Sequence, residues 1–199
     1  MGELFCKELL NDYIEKLPVG VSSTTKETIV TSANTLILAK GKTMFCGGHR
    51  KNMLYRILKG GCVRYVTNQH GEEKAIMFHT EEHIPAFGAP FTRMEGAAVN
   101  SIIKASENLF LLEMNKSTEK ALACQDHVYA IYVIDTYLDA IARLNQFNNH
   151  LLGLSKSDIL AWLLKEYSYI FQRFPSKDIA NFIGISPVWL SNLKRKMTS

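Results

Sequence analysis

The spacing of hydrophobic residues changes along this 199-residue chain. From about Thr28 to Met114, short apolar runs rich in β-branched residues alternate with glycines, as in "MLYRILKGGCVRYV". Runs of this length, separated by glycine turns, are typical of short strands. Many such strands in succession predict an all-β barrel or sandwich for this part of the chain.

A helical period replaces the strand period from about Ser117 to Leu152. This segment contains no proline, and its apolar residues recur three and four positions apart, which predicts one long amphipathic helix. Such a seam packs either on its own domain or on a second copy of the same helix, and we expect the second arrangement. The residues expected at this dimer interface are Ala130, Ile134, Tyr137, Ile141 and Leu144.

Two shorter helical repeats lie in the stretch "SKDIANFIGISPVWLSNLKRKM", residues 176–197. Gly184 between them can end a helix in the left-handed conformation, Ser186 can cap the next helix, and Pro187 suits its first position. We therefore predict two helices joined by a three-residue turn. Their apolar positions are Ile179, Phe182 and Ile183 in the first repeat and Leu190, Leu193 and Met197 in the second.

A turn this short forces the two helices to cross, and a close crossing needs a small residue such as Ala180 on the first helix. The packing positions of the segment resemble the helix-turn-helix template of DNA-binding regulators. On that template the second helix presents its outer face to DNA. The candidate DNA-binding residues are Lys177, Ser186, Pro187, Val188, Trp189, Ser191, Asn192, Lys194, Arg195 and Lys196.

Composition and charge narrow the class of protein further. The chain is 47% hydrophobic and 21% charged, as a globular protein is, and it has no run of 18 apolar residues and no secretory signal pattern. We therefore expect a cytoplasmic protein without membrane contact. Residues 151–199 carry seven Lys or Arg against three acidic residues, whereas residues 1–150 carry 16 of each sign. The excess positive charge thus lies in the segment predicted to meet DNA phosphates.

The order of these predicted elements resembles one known family, the Crp/Fnr superfamily of bacterial regulators. The stretch "LYRILKGGCVRYVTNQHGEEKAIMF" is similar to the strand and glycine pattern of that family's β-roll. The stretch "IPAFG" is similar to its effector loop, and "SKSDILAWLLKEY" to the helix that leads into its DNA-binding domain. The resemblance covers nearly the whole chain.

The resemblance implies an α+β fold. It assigns an N-terminal β-roll (a double-stranded β-helix, jelly-roll-like) with its N-terminal helix to residues 1–116 and a long dimerisation helix to 117–152. It assigns a small all-α helix-turn-helix domain to 153–199, and here the chain departs from its relatives, because the β-hairpin wing that they carry is expected to be lacking. The implied function is a homodimeric transcription regulator that binds double-stranded operator DNA and an unidentified small-molecule effector, with RNA polymerase as a candidate partner. The alternative is an effector-binding or protein-interaction module that keeps the fold without specific DNA recognition.

The predicted effector loop departs from the family members that bind cyclic nucleotides. Those members carry a Phe-Gly-Glu-Leu loop and a later Arg-Ser/Thr-Ala segment, in which the glutamate holds the ribose and the arginine holds the phosphate. Here Ala89 replaces the glutamate, Val99 replaces the arginine, and Arg93 is out of register. A buried phosphate without its partner is unfavourable, so cyclic AMP is not the expected ligand. The expected pocket residues are Phe87, Gly88, Ala89, Val99, Asn100 and Tyr137.

Other motifs give little support to metal or enzyme chemistry. His79 and His83 lie four apart on a strand-to-loop segment, where they need not share a face. The "GKT" at 41–43 lacks the earlier glycine of a P-loop, and no G-x-S-x-G motif occurs. We expect no enzyme activity, cofactor or metal. The four cysteines lack C-x-x-C spacing, so we expect them to be core thiols, with a redox-sensing cysteine as the alternative. They are Cys6, Cys46, Cys62 and Cys124.

The second helix of the pair differs from that of nucleotide-responsive relatives, which carry guanine-reading arginines on its outer face. Pro187, Val188 and Asn192 occupy the corresponding positions. Asn192 suits bidentate contact with adenine and Val188 can touch a thymine methyl, so half-sites rich in A·T are expected. The residues assigned mainly to phosphates are Lys177, Lys194, Arg195 and Lys196.

Overall fold

The structure is a computed structural model that describes residues 2–45, 50, 52–67, 71–88 and 100–197. In these residues two helices precede the strands, and a run of further helices follows them. The helices are α1 (Gly2–Glu15), α2 (Ser23–Ser32), α3 (Lys116–Gln125), α4 (His127–Gly153), α5 (Lys156–Glu166), α6 (Tyr169–Arg173), α7 (Ser176–Ile183) and α8 (Pro187–Met197). The strands are β1 (Asn34–Leu38), β2 (Thr43–Phe45), β3 (Met53–Lys59), β4 (Gly61–Thr67), β5 (Glu73–Thr80), β6 (Ala86–Gly88), β7 (Asn100–Ala105) and β8 (Leu109–Asn115).

The strands form two antiparallel sheets that pack face to face as a β-roll. One sheet has the order β1-β8-β3-β6 and the other the order β2-β7-β4-β5. Side chains from both sheets fill the space between them, because alternate residues of each strand point inward. The predicted α+β fold with an N-terminal β-roll is therefore confirmed. The buried residues of the roll interior are Met44, Tyr55, Ile57, Cys62, Phe87, Ile103, Ala105, Leu109 and Leu111.

The strand region begins later than its β-branched composition predicts. The stretch "STTKETIVTS", from Ser23, forms α2, and the first strand starts at Asn34. Two contacts favour a helix here over a strand. The Ser22 side chain accepts a hydrogen bond from the Thr25 backbone N–H, and Ile29 is completely buried against the roll and the long helices. Burial thus overrides the weak β preference of these residues.

The long helix predicted for 117–152 is interrupted at Asp126. Its extended backbone (φ −129°, ψ 105°) separates α3 from α4. One carboxylate oxygen of Asp126 accepts from the Tyr129 backbone N–H at 3.0 Å and caps α4. The other accepts from the Ser22 N–H at 2.9 Å and the Thr25 hydroxyl at 2.8 Å. These bonds, led by that from Tyr129, hold the pKa of Asp126 below its ordinary value. The break therefore fastens the N-terminal α2 to the start of α4.

The C-terminal helices share one hydrophobic core with the outer face of the roll. Phe78 of β5 contacts the rings of Phe174 and Phe182, with ring centroids 4.8 and 5.2 Å apart. Gly61 leaves space for this packing, because a Cβ there would lie 3.1 Å from the Phe174 ring. The roll contributes Val63, Tyr65, Ala75, Met77, Phe78 and Ile84 to this core, and the C-terminal helices contribute Ile159, Leu160, Leu163, Tyr167, Ile170, Phe174, Ile179, Ala180, Phe182, Ile183 and Leu190.

Candidate functional site

The helices α7 and α8 form the predicted helix-turn-helix. Gly184 ends α7 in the left-handed conformation (φ +82°), and its N–H donates to the Ala180 carbonyl at 2.9 Å. The N–H of Ile185 donates to the same carbonyl, also at 2.9 Å. The Ser186 hydroxyl accepts from the Trp189 N–H at 3.1 Å, and Pro187 is the first residue of α8. Each turn residue therefore has the local role that its chemistry predicts.

The two helices cross on small and branched side chains. Ala180 is completely buried, Leu190 is 1% exposed, and Leu193 is partly buried against the same core. The side chain of Met197 lies outside the described residues. With its inner face buried in this way, α8 leaves an outer face of exposed side chains in the part of the chain that the structure describes.

The structure brings most of the predicted DNA-binding residues to that outer face. Val188 is 71% exposed and Trp189 is 39% exposed. Lys194 differs, because it is half-buried and its ammonium lies 4.8 Å from the centre of the Phe171 ring, in a cation–π contact. Lys177 is exposed at the start of α7. The other exposed members of the set are Ser186, Pro187, Ser191, Asn192, Arg195 and Lys196.

Hydrogen bonds between side chains and backbone groups hold α7 against the edge of the roll. The Asn181 side chain accepts a hydrogen bond from the Ala75 N–H at 2.6 Å and donates one to the Glu73 carbonyl at 2.9 Å. The Lys74 ammonium donates to the carbonyls of Asn181 and Phe182 at the end of α7, where the helix dipole favours a cation. The first helix of the pair is thus bound directly to β5.

An ion-pair network joins α6 to two loops of the roll. The Arg173 guanidinium contacts the carboxylates of Glu81 and Glu107, each at 2.9 Å. These hydrogen bonds lower the pKa of Glu107 and raise that of Arg173. Together with the shared aromatic core, the network holds the helix-turn-helix in a defined position relative to the roll.

The predicted effector residues fall into two groups. Phe87 lies inside the roll and stacks on Tyr55 with ring centroids 5.5 Å apart, and Gly88 ends β6 beside it. Tyr137 instead belongs to α4, where its hydroxyl donates to Glu119 of α3 at 2.9 Å. Asn100 begins β7, and the side chain of Asn100 and all of Ala89 and Val99 lie outside the described residues.

Arg64 supplies a cation inside the roll that the sequence reasoning missed. Its Nη2 donates to the Gly88 carbonyl and its Nε to the Ser101 hydroxyl, both at 2.9 Å. The guanidinium therefore connects β4, β7 and the end of the predicted effector loop. Strand alternation places Arg64 on the same face as Cys62, which is a signal that could have found it.

Apolar side chains form an exposed stripe along α4. Ile134 is 55% exposed, Ile141 52% and Leu144 36%, as the predicted dimer seam requires. Ala130 and Tyr137 are partly buried against their own chain. The stripe also includes Ile131 and Leu138, 45% and 58% exposed, which were not among the predicted residues.

The thiols and imidazoles lie apart from one another. Among the cysteines that the structure describes, Cys6 and Cys62 are buried and Cys124 is exposed, each in a different element, and Cys46 lies outside the described residues. His79 points into the roll, whereas His83 stacks on the Tyr169 ring. The described residues hold no cluster of three or more His, Cys, Asp or Glu suited to a metal. None of the helices in these residues is long and apolar enough to cross a membrane.

Solved structures share this architecture. No protein-family model matches the chain, and no curated protein sequence matches it. FixK2 from Bradyrhizobium japonicum superposes with a TM-score of 0.67 at 13% identity, covering 83% of this chain and 84% of that one. A cyclic nucleotide-binding domain containing protein from Listeria monocytogenes gives 0.69 at 10% identity, with 96% and 89% covered. A protein from Eubacterium rectale assigned to the Crp/Fnr family of transcriptional regulators gives 0.62 at 16% identity, with 89% and 83% covered. The chain has the fold of Crp/Fnr regulators.

Proposed function

We propose that the protein is a DNA-binding transcription regulator of the Crp/Fnr type and not an enzyme. The observation that carries this proposal is the asymmetry of α8. Leu190 on its inner face is 1% exposed, whereas the predicted base-reading positions on its outer face are open to solvent. A fully buried core helix would bury both sides, whereas α8 is amphipathic and leaves one side free. A recognition helix needs one free face, because its side chains enter the major groove.

The exposed side chains of α7 and α8 divide into two roles under this proposal. Asn192 and Val188 lie at the exposed face and read adenine and the thymine methyl in A·T-rich half-sites. Lys177, Arg195 and Lys196 meet phosphates, which fix the register of the protein on the duplex. Lys194 has the same role, with its ammonium oriented by the Phe171 ring.

Dimerisation through α4 follows from the exposed apolar stripe. Ile134, Leu138 and Ile141 are each more than half exposed in the single chain, and burying them against a second copy is favourable. A twofold dimer would also present two copies of α8 to two half-sites of one operator. The same proposal includes RNA polymerase as a candidate partner and a cytoplasmic location for the protein.

The effector site is proposed inside the roll, next to Phe87 and Gly88. Arg64 is already bonded to Ser101 and to the Gly88 carbonyl, and the glutamate that would hold a ribose is replaced by Ala89. We therefore expect cyclic AMP and cyclic GMP to bind more weakly than about 1 mM, roughly −4 kcal/mol. Calorimetry on the full chain checks this, and micromolar binding of either nucleotide would contradict it.

The function itself is tested by fluorescence anisotropy with DNA from upstream of the protein's own gene. We expect nanomolar binding to one fragment and at least a thousandfold weaker binding to a shuffled sequence of the same length and composition. Equal affinity for both would support the alternative, a module that keeps the fold without specific DNA recognition.

A further inference from the structure

His79 of β5 carries a buried polar atom that has no partner. The side chain is 2% exposed. Its Nδ1 lies 2.9 Å from the Ile84 carbonyl oxygen. A carbonyl can only accept, so Nδ1 must carry the ring proton, and Nε2 is then a bare acceptor. In the part of the chain that the structure describes, Nε2 is the one buried side-chain nitrogen or oxygen without a hydrogen bond.

The surroundings of this imidazole belong to the roll interior. Cys62 lies directly opposite on β4, and the Phe87 ring centre is 5.4 Å away. Burial, and next the charge of Arg64, lower the pKa of His79 to about 4. The ring is therefore neutral at physiological pH, and Nε2 keeps its lone pair.

The neighbouring residue on β5 faces the other way. Phe78 packs on Phe174 and Phe182 of the C-terminal helices, whereas His79 faces the interior. One strand thus has a polar acceptor on its sensing side and an aromatic contact to the helix-turn-helix on its outer side. A group bound at His79 would act directly on the strand to which α7 is attached.

We propose that His79 Nε2 selects the effector of this protein, and that the effector is a small uncharged molecule with an N–H or O–H donor on an apolar frame. This inference rests on the proposed function, because it assigns a ligand class to the same sensing domain. A bare nitrogen lone pair repels a carboxylate or phosphate oxygen, and the nearby Arg64 guanidinium is already hydrogen-bonded to Ser101 and to the Gly88 carbonyl. An anion at Nε2 would therefore require a protonated ring. A donor instead satisfies the unpaired acceptor, while Phe87 and Cys62 supply apolar contact.

The test uses the full chain with ¹⁵N-labelled histidine and two ring probes of nearly equal size. Pyrrole carries an N–H donor and furan an ether oxygen in its place. We expect long-range ¹H–¹⁵N spectra to show the His79 tautomer protonated at Nδ1, and pyrrole to shift the Nε2 resonance. Pyrrole should bind about tenfold more tightly than furan. The preference should disappear in His79→Phe and persist in His127→Phe, which alters an exposed histidine on α4.

Several outcomes would overturn the inference. They are a proton on Nε2 in the unliganded protein, equal affinity for the two probes, binding of neither probe, or a preference for pyrrole that survives in His79→Phe. The tautomer and the wild-type comparison remain decisive even where His79→Phe fails to fold. Because none of these measurements uses DNA, their failure would leave the proposed regulator function standing. Loss of specific DNA binding would in turn leave the ligand result unaffected.

Discussion

The outer face of α8 and the interior of the roll differ in how far their polar side chains are exposed to solvent. On the outer face of α8 and in the turn before it, polar side chains either cap the helix, as Ser186 does, or are exposed to solvent, as Asn192 is. In the roll, His79 is buried and Arg64 is half-buried, and each is hydrogen-bonded to a backbone carbonyl. An exposed polar face suits a large partner such as a DNA duplex. An enclosed one suits a small ligand that is desolvated when it binds.

The largest effect is expected at the apolar stripe of α4, the proposed dimer interface. Specific DNA binding by the helix-turn-helix depends on the dimer, whereas ligand binding in the roll does not. Ile141→Asp places a charge in the exposed stripe of α4, so it should separate the dimer without unfolding the chain. Operator affinity should then fall to the nonspecific level, roughly a thousandfold weaker or more.

Sedimentation and anisotropy on the same samples check this prediction. Val30→Asp, which adds the same charge at an exposed apolar residue of α2, should leave both the dimer and DNA binding unchanged. A wild-type chain that sediments as a monomer at micromolar concentration would show that α4 is not the dimer interface.

The second prediction concerns the hydrophobic core that the roll shares with the C-terminal helices. Phe182→Ala should lower the free energy of unfolding by roughly 3–5 kcal/mol, because the ring is buried between β5 and the C-terminal helices. Urea unfolding should remain a single transition by circular dichroism and by tryptophan fluorescence, since one core serves both regions. Two separated transitions would contradict a shared core. Trp189→Ala, at a more exposed ring, should change stability by no more than about 0.5 kcal/mol.

The helix-turn-helix was predictable in detail because its determinants are local. Gly184, Ser186 and Pro187 each act within four residues of their own position, so their chemistry could be interpreted directly from the sequence. The strand pattern predicted an all-β barrel or sandwich, and the resemblance to the Crp/Fnr superfamily implied that it is a β-roll.

The interruption of the long helix at Asp126 and the position of Arg64 in the roll depend instead on distant contacts. The Asp126 carboxylate binds residues 101 and 104 positions away, and Arg64 reaches Ser101 and Gly88 on other strands. The exposed stripe of α4 also differs from the predicted dimer seam, because it includes Ile131 and Leu138. This difference again depends on distant contacts. The roll side of α4 buries Tyr137 against α3, which turns Ile131 and Leu138 outward, and helical spacing alone does not fix that rotation.

The third prediction is a pH dependence that arises in the roll interior. The pKa of His79 falls from an unfolded value of 6.5 to about 4 in the folded chain. The neutral form is thus favoured by folding, so its contribution is present above pH 6.5 and is lost as pH falls from 6.5 toward 4. The loss should approach about 3 kcal/mol at pH 4. Unfolding in urea at several pH values checks it, and His79→Phe should have a flatter profile over that range. A wild-type profile that is flat between pH 6.5 and 4.5 would contradict a buried neutral imidazole.

The smallest effects are expected on the exposed face of α8, where substitution should change DNA binding but not folding. Asn192→Ala should weaken binding to the preferred operator by roughly 1–3 kcal/mol and relax preference at one base pair, because the bidentate amide contact with adenine is lost. Lys196→Ala is the matched control on the same helix. It should weaken all sequences alike and reduce the slope of log affinity against log salt by about one. Anisotropy titrations on operator and random DNA at several salt concentrations separate the two patterns. Equal losses on specific and random DNA for Asn192→Ala would show that α8 contacts the backbone alone and that its exposed face does not read bases.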